Sequence, residues 1–155
     1  MNGETEFPGR ILSLDVGERR IGIAISDETQ TLARSLTVLH RHSKAQDFAA
    51  LVRLVREQAV MAIVIGLPLL LDGTEGQQAR YIRRYAAALA EALGAQGLDM
   101  SMIFHDESMS TITATEVMIA SGRKRRARRR HIDAVAAAVI LQDYLDTCSK
   151  APGLT

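Results

Sequence analysis

The chain is poor in the residues that build disulfide frameworks, zinc sites and aromatic platforms. Its 155 residues include one cysteine, no tryptophan, three tyrosines and three phenylalanines. The single Cys148 excludes an internal disulfide framework and a cysteine-rich zinc site, and it fits a reducing, cytoplasmic compartment. The four histidines lack zinc-ligand spacing. With so few aromatic rings, base stacking is a poor candidate for a main mode of binding.

Long apolar runs are also lacking. The longest, residues 60–71, is interrupted by Gly66 and Pro68 and is too short to cross a bilayer. The first nine residues are polar and acidic, unlike a secretory signal peptide. We therefore expect a soluble, cytoplasmic protein without a membrane partner. At this length it is most simply one domain over residues 1–155, with loose tails at 1–9 and 148–155.

The net charge of +1 hides a strong asymmetry. Seven of the eight residues from 123 to 130 are basic, so the rest of the chain carries a net charge of −6, seven below the total. Such runs are usually solvated loops, but this density, just before a candidate carboxylate, favours nucleic acid as a partner. We expect a loop that is mobile in the free protein and grips a phosphate backbone. The basic residues are Arg123, Lys124, Arg125, Arg126, Arg128, Arg129 and Arg130.

The hydrophobic pattern predicts the element order β-β-β-α-β-α-β-α-α. Ser43 with Gln46 resembles a capping box at the start of the first helix. Three meandering strands followed by alternating helices imply a mixed five-stranded sheet with helices on both faces, the order expected of a ribonuclease H-like α/β fold. The predicted strands are 11–16, 21–25, 31–39, 60–66 and 98–104, and the helices follow Ser43, span 74–93, follow Thr113 and run from Ile132.

Three carboxylates occupy informative places in this order. Asp15 lies on the first strand, Glu107 just past the fifth, and Asp133 in the first turn of the predicted last helix. Each alone has an ordinary explanation as a turn cap, a solvated acid or a partner of the helix dipole. Together, at converging strand ends, they are candidate catalytic residues and candidate ligands of Mg²⁺ or Mn²⁺, ions that assist phosphodiester hydrolysis.

The ordered motifs resemble the YqgF family, bacterial relatives of the RuvC Holliday-junction resolvases that are also described as pre-16S rRNA nucleases. The resemblance covers about residues 10–146. It implies a ribonuclease H-like fold and metal-dependent cleavage, with maturation of the 5′ end of pre-16S rRNA as the leading role. Asp15, Glu107 and Asp133 match the family's acidic positions. The motifs are Leu14-Asp15-Val16-Gly17, residues 22–27, Gly66-Leu67-Pro68, residues 72–75, His105-Asp106-Glu107 and residues 133–141.

Two positions depart from the family pattern. Ser108 stands where the family usually has arginine, and three leucines, 69–71, stand where it usually has a polar residue before Asp72-Gly73. Neither change removes a carboxylate. Both concern the handling of the substrate, and the arginine-rich segment would supply the missing positive charge.

Several functions remain open at this stage. The leading hypothesis is a metal-dependent endonuclease acting on structured RNA, with ribosomal precursor particles as partners, as a monomer or weak homodimer. A resolvase-like nuclease for branched DNA is one alternative, and a non-catalytic RNA-binding factor for ribosome assembly is another. Asp15-x-Gly17 with Gly22 also resembles the first phosphate loop of actin-like phosphotransferases, which need a second lobe. Asp27 is expected to support the hairpin structurally.

Overall fold

The computed structural model describes residues 9–106 and 125–149, and side chains of the last helix from Asp133 onward. Glu107, Ser108, Arg123, Lys124 and the helix predicted after Thr113 lie outside the described residues. The strands are β1 (Arg10–Val16), β2 (Arg20–Ser26), β3 (Ala33–His40), β4 (Val60–Leu67) and β5 (Ser101–Asp106). The helices are α1 (Lys44–Glu57), α2 (Gln77–Ala95) and α3 (Arg125–Ser149).

The five strands form one mixed sheet in the order β3-β2-β1-β4-β5. β1 and β3 pair antiparallel with β2, while β4 lies parallel to β1 and to β5. A hairpin links β1 to β2, and the Gly17 N–H closes it by donating to the Arg20 carbonyl at 2.9 Å. The predicted mixed five-stranded sheet with helices on both faces is confirmed.

Most element boundaries lie within three residues of their predicted places. Ser43 caps α1 as expected, because its hydroxyl accepts from the Gln46 N–H at 3.2 Å. α2 begins at Gln77 rather than near Thr74, since the chain first makes a tight turn in which the Leu70 N–H donates to the Thr74 carbonyl. β5 ends at Asp106, two residues later than predicted. None of the described helices combines the length and apolar character that a bilayer crossing requires.

The two faces of the sheet differ in the size of their side chains. One face carries large aliphatic residues that pack under α1 and α2, and these form the larger part of the core. On the other face α3 packs against smaller residues. The large core residues include Leu12, Leu14, Ile21, Ile23, Ile25, Ile63 and Ile65 from strands, and Leu51, Val55, Ile82 and Leu89 from helices.

Small residues let α3 approach the sheet closely. The Ser13 hydroxyl donates to the Ala137 carbonyl at 2.7 Å, and the Ser35 hydroxyl donates to the Ala134 carbonyl at 3.1 Å. At Gly22 the contact is closer still, because a β-carbon there would overlap the carbonyl group of Asp133. Glycine is therefore required at position 22 by the helix above it.

The last helix begins earlier than predicted. α3 starts at Arg125, so residues 125–130 are helical and the predicted loop is wrong for them. Arginine is a good helix former, and repulsion between like charges one turn apart costs only tenths of a kcal/mol for each pair. Asp133 consequently lies in the third turn of α3, not the first. Cys148 and Ser149 are also helical, so the predicted tail at 148–155 is wrong for these two residues.

An arginine whose side chain is 14% exposed, Arg41, fixes the turn after β1. The Arg41 guanidinium donates to the Gly17 carbonyl at 2.7 Å and to the Tyr81 hydroxyl at 2.6 Å. It lies 5.0 Å from the centre of the Tyr85 ring, and its Nε is 3.6 Å from Oδ2 of Asp47, whose side chain is 2% exposed. Arg41 thus ties the turn beside Asp15 to both α1 and α2.

We predict that Gly22→Ala lowers the free energy of unfolding by about 1–3 kcal/mol, since the new methyl group must push α3 off β2. Gly94→Ala is the matched control, because a β-carbon there, in the last turn of α2, meets nothing within 4 Å. It should be neutral or stabilise by up to about 1 kcal/mol. Urea unfolding of both variants tests the contact, and equal midpoints would contradict it.

We predict that Arg41→Met lowers the free energy of unfolding by about 3 kcal/mol, because it leaves the Asp47 carboxylate buried without its cation. Arg83→Met is the control. It removes an ion pair to Glu75 whose side chains are 45% and 34% exposed, so its effect should be much smaller. Adding Asp47→Asn to Arg41→Met should recover part of the loss. Equal losses of unfolding free energy in the two single variants would show that Arg41 contributes no more to stability than an exposed ion pair.

Candidate functional site

The structure brings Asp15 and Asp133 to one place. Asp15 is the Cα partner of Gly22 in the antiparallel pair of β1 and β2, and directly opposite residues point to the same face of a sheet. Gly22 in turn touches the backbone of Asp133 on α3. Two of the three predicted acids, Asp15 and Asp133, therefore both lie next to Gly22, although they come from opposite ends of the chain.

The end of β5 lies at the same edge of the sheet. β1, β4 and β5 run parallel, with Leu14 paired to Ile65 and Gly66 paired to His105. Their carboxyl ends therefore share one edge, which is where open α/β sheets bind ligands. Asp106 is the last residue of β5, and the third predicted acid, Glu107, lies outside the described residues. Whether Glu107 completes the site stays a prediction.

An ion pair that the sequence interpretation missed holds the carboxylate of Asp133. Nε of Arg20 donates to Oδ2 of Asp133 at 2.5 Å, and these side chains are 27% and 26% exposed. Arg20 is the first residue of β2 and precedes Gly22 by two positions, so both residues face α3. The alternation of side chains along β2 could have shown from the sequence that Arg20 and Gly22 share a face. The pairing of Arg20 with Asp133, however, depends on where α3 packs.

A second contact joins the end of β5 to α3. Nε2 of His105 lies 2.6 Å from Oδ2 of Asp143, and the ring of Tyr144 meets the His105 ring edge-on with centroids 5.9 Å apart. His105 was recognised in the sequence only as part of a motif. In the structure it links the strand that precedes Glu107 to the helix that carries Asp133.

The donor chemistry of Asp15 and Asp133 fits a hard divalent cation such as Mg²⁺ or Mn²⁺, which prefers carboxylate oxygens. Within residues 9–106 and the described side chains of α3, no group of three or more His, Cys, Asp or Glu residues is placed to hold a metal ion. Glu107, the third predicted ligand, lies outside this part of the chain, and Mg²⁺ usually takes further ligands from water and substrate phosphates.

Basic residues approach this edge from both sides of the sheet. Residues 125–130 occupy the first turns of α3, within about two turns of Asp133 in the same helix. On the face covered by α1 and α2, a cavity of about 490 Å³ lies between the turn at Gly17 and the exposed side of α2. Arg80 and Arg84 line this cavity. The positive charge is therefore not confined to the segment predicted from sequence.

Two other acids in the motifs have structural roles. Asp27 accepts hydrogen bonds from the Thr29 hydroxyl at 2.7 Å and from the N–H groups of Thr31 and Leu32, which lower the pKa of its carboxyl. This agrees with the structural role expected for it. Asp72 accepts similarly from the hydroxyl and N–H of Thr74, which lower its pKa, and shapes the turn at Gly73.

Comparisons with known proteins find relatives over most of this chain. The model of the family described as "RuvX: Holliday junction resolvase" matches residues 9–147. A protein of Roseiflexus sp. (strain RS-1), named "Putative pre-16S rRNA nuclease", is 40% identical over 90% of this chain and 96% of its own length. A protein of Syntrophus aciditrophicus (strain SB) with the same name is 45% identical over 91% of each chain.

Solved structures show the same fold at low sequence identity. Thermus thermophilus RuvC in complex with a Holliday junction has a TM-score of 0.54 and 14% identity, covering 91% of this chain and 97% of that one. The Fowlpox virus resolvase with its junction DNA has a TM-score of 0.53 and 12% identity, covering 91% and 99%. The structural likeness establishes a RuvC-like, ribonuclease H-like fold. From the match over residues 9–147 and relatives at 40–45% identity, the chain belongs to the RuvX family, also called YqgF.

Proposed function

We propose that this protein is a metal-dependent endonuclease that hydrolyses phosphodiester bonds in structured RNA and matures the 5′ end of pre-16S rRNA in ribosome biogenesis. The observation that carries the proposal is the position of Asp15 and Asp133, which both lie next to Gly22 at the edge of the sheet where β5 also ends. The names of relatives at 40–45% identity support the choice of substrate.

Each part of the chain has a definite task in this proposal. Asp15, on the rigid strand β1, and Asp133, pressed against Gly22, would hold Mg²⁺ or Mn²⁺ together with Glu107. Such an ion, when bound, activates water and stabilises the charge of the leaving oxygen. The seven basic residues at 123–130 bind the phosphate backbone and hold it near the acids. They act through charge and shape and not through base stacking, which suits a folded RNA.

Branched DNA is the second candidate substrate. It is favoured by the description of the family model. The likeness to resolvase structures, at 12–14% identity, concerns the fold alone. A panel containing a precursor fragment of 16S rRNA and a four-way DNA junction separates the two candidates. Binding of RNA without any cleavage would favour the non-catalytic assembly factor instead.

We predict that Asp15→Asn, Glu107→Gln and Asp133→Asn each abolish cleavage with Mg²⁺ or Mn²⁺. The loss should exceed the roughly 10- to 100-fold effect typical of groups that merely surround a metal ligand. Asp15→Asn and Asp133→Asn should stay folded, because neither residue belongs to the large aliphatic core and the ion pair of Asp133 with Arg20 is about one quarter exposed. Asp27→Asn is the control and should keep its cleavage rate, since its carboxylate serves the turn after β2.

Single-turnover cleavage, with circular dichroism to confirm folding, is the measurement. Ca²⁺ should support cleavage poorly because its looser coordination positions water badly. Full metal-dependent activity in Asp15→Asn, or activity that survives exhaustive chelation, would falsify the assignment. Unfolding of all three variants would show that the acids are required for folding.

We predict that replacing Arg125, Arg128 and Arg129 with Gln weakens RNA binding for every sequence alike. These positions share one face of α3, and glutamine preserves helix propensity. The slope of log K against log salt should flatten by about 0.7 to 0.9 for each lost phosphate contact. The charge-matched control replaces Arg34, Arg53 and Arg56, which are exposed on β3 and α1.

Binding is measured without divalent metal, so that cleavage does not interfere, and turnover at saturating substrate should change much less than affinity. An equal salt slope in the two triple variants would show that the basic start of α3 contributes only net charge.

A further inference from the structure

We propose that Arg20 is an exchangeable counter-ion of the acidic site. In the metal-free protein it neutralises Asp133, and it moves to a phosphate of the nucleic acid when a divalent ion takes that carboxylate. The inference rests on the proposed function, because it assumes that Asp133 is a metal ligand, and it assigns to Arg20 a role in positioning both metal and substrate.

The backbone holds both partners of the pair in place. The Arg20 carbonyl accepts from the Gly17 N–H in the tight turn after β1, and Arg20 pairs with His40 across the sheet. The backbone of Asp133 is pinned against Gly22. The ion pair therefore forms between positions that folding has already fixed, and only the long arginine side chain needs to move to break it.

The contact conflicts with metal binding at the same oxygen. Nε of Arg20 lies 2.5 Å from Oδ2 of Asp133, so it occupies the space from which a cation would approach that atom. A guanidinium stays protonated in proteins, so Arg20 cannot become neutral to make room. Repulsion between its charge and a divalent ion on the same carboxylate weakens the ion pair and favours displacement of the arginine.

The displaced guanidinium has a suitable destination. Its planar set of donors matches a phosphate group, which it can bind in bidentate fashion. Both side chains are about one quarter exposed, so solvent and substrate can reach the pair. An RNA strand at this edge would offer a phosphate acceptor at the moment when the metal takes the carboxylate. The metal would replace Arg20 as the partner of Asp133, and an RNA phosphate would replace Asp133 as the partner of Arg20. Binding of either one should therefore raise the protein's affinity for the other.

The first test measures Mn²⁺ affinity by isothermal titration calorimetry without nucleic acid. Arg20→Gln should bind Mn²⁺ about three- to tenfold more tightly than the wild type, since no ion pair has to be broken. Arg20→Lys, which keeps the charge, should stay near the wild type. Arg19→Gln is the matched control, because Arg19 is adjacent and exposed, and it should show wild-type affinity.

The second test measures the coupling between metal and substrate. With unmodified RNA and Ca²⁺, which supports cleavage poorly, the wild type should bind the ion more tightly than it does without RNA, and Arg20→Gln should lose most of that gain. Its turnover should fall although its metal affinity rises. If Arg20 had only a structural role, its replacement would not raise metal affinity while lowering turnover.

The outcomes separate this inference from the proposed function. If the wild type binds Mn²⁺ and Arg20→Gln binds it no more tightly than Arg19→Gln, the counter-ion role is overturned while the nuclease proposal stands. If Asp133→Asn leaves Mn²⁺ affinity unchanged, the ion does not use Asp133 and the inference is again overturned. If neither the wild type nor Arg20→Gln binds Mn²⁺, the result contradicts both the metal site of the proposed function and this inference.

Discussion

The close contact between Gly22 and the backbone of Asp133 is the constraint on which the rest of the candidate site depends. A helix can lie this near a sheet only where the strands below it carry glycine, alanine and serine, as they do under α3. Because Gly22 is also the Cα partner of Asp15, this contact places the backbones of Asp15 and Asp133 next to the same residue.

Most of the apolar packing and the candidate site lie on opposite faces of the sheet. Large aliphatic side chains under α1 and α2 supply most of the buried apolar surface, and Arg41 fastens the turn after β1 from that side. The opposite face contributes less apolar packing but holds the acids, Arg20 and the contact of His105 with Asp143. The packing under α1 and α2 therefore supports the strands that carry the candidate site.

The helical start of α3 changes how the basic segment can work. A mobile loop would have to become ordered on binding, which costs conformational entropy, whereas residues 125–130 are already in the helix that carries Asp133. Phosphate groups held by this segment would therefore lie at a fixed distance from the acids. The Arg20–Asp133 pair adds a compensating charge within the acidic site itself. Both features favour an approach of nucleic acid along the edge where β1, β4 and β5 end.

The sequence by itself determined the local order of the chain. Alternating apolar residues predicted the hairpin around Asp15, Ser43 predicted the start of α1, and the element order predicted a mixed sheet with helices on both faces, because these features depend on near neighbours. It also singled out Asp15 and Asp133 as candidate site acids, and both lie next to Gly22 in the structure. Only the tertiary structure decided that α3 begins at Arg125, since a run of arginines becomes helical where a helix packed on the sheet continues it. The pairing of Arg20 with Asp133 was likewise decided by packing, because a contact between such distant residues exists only at the separation that Gly22 permits.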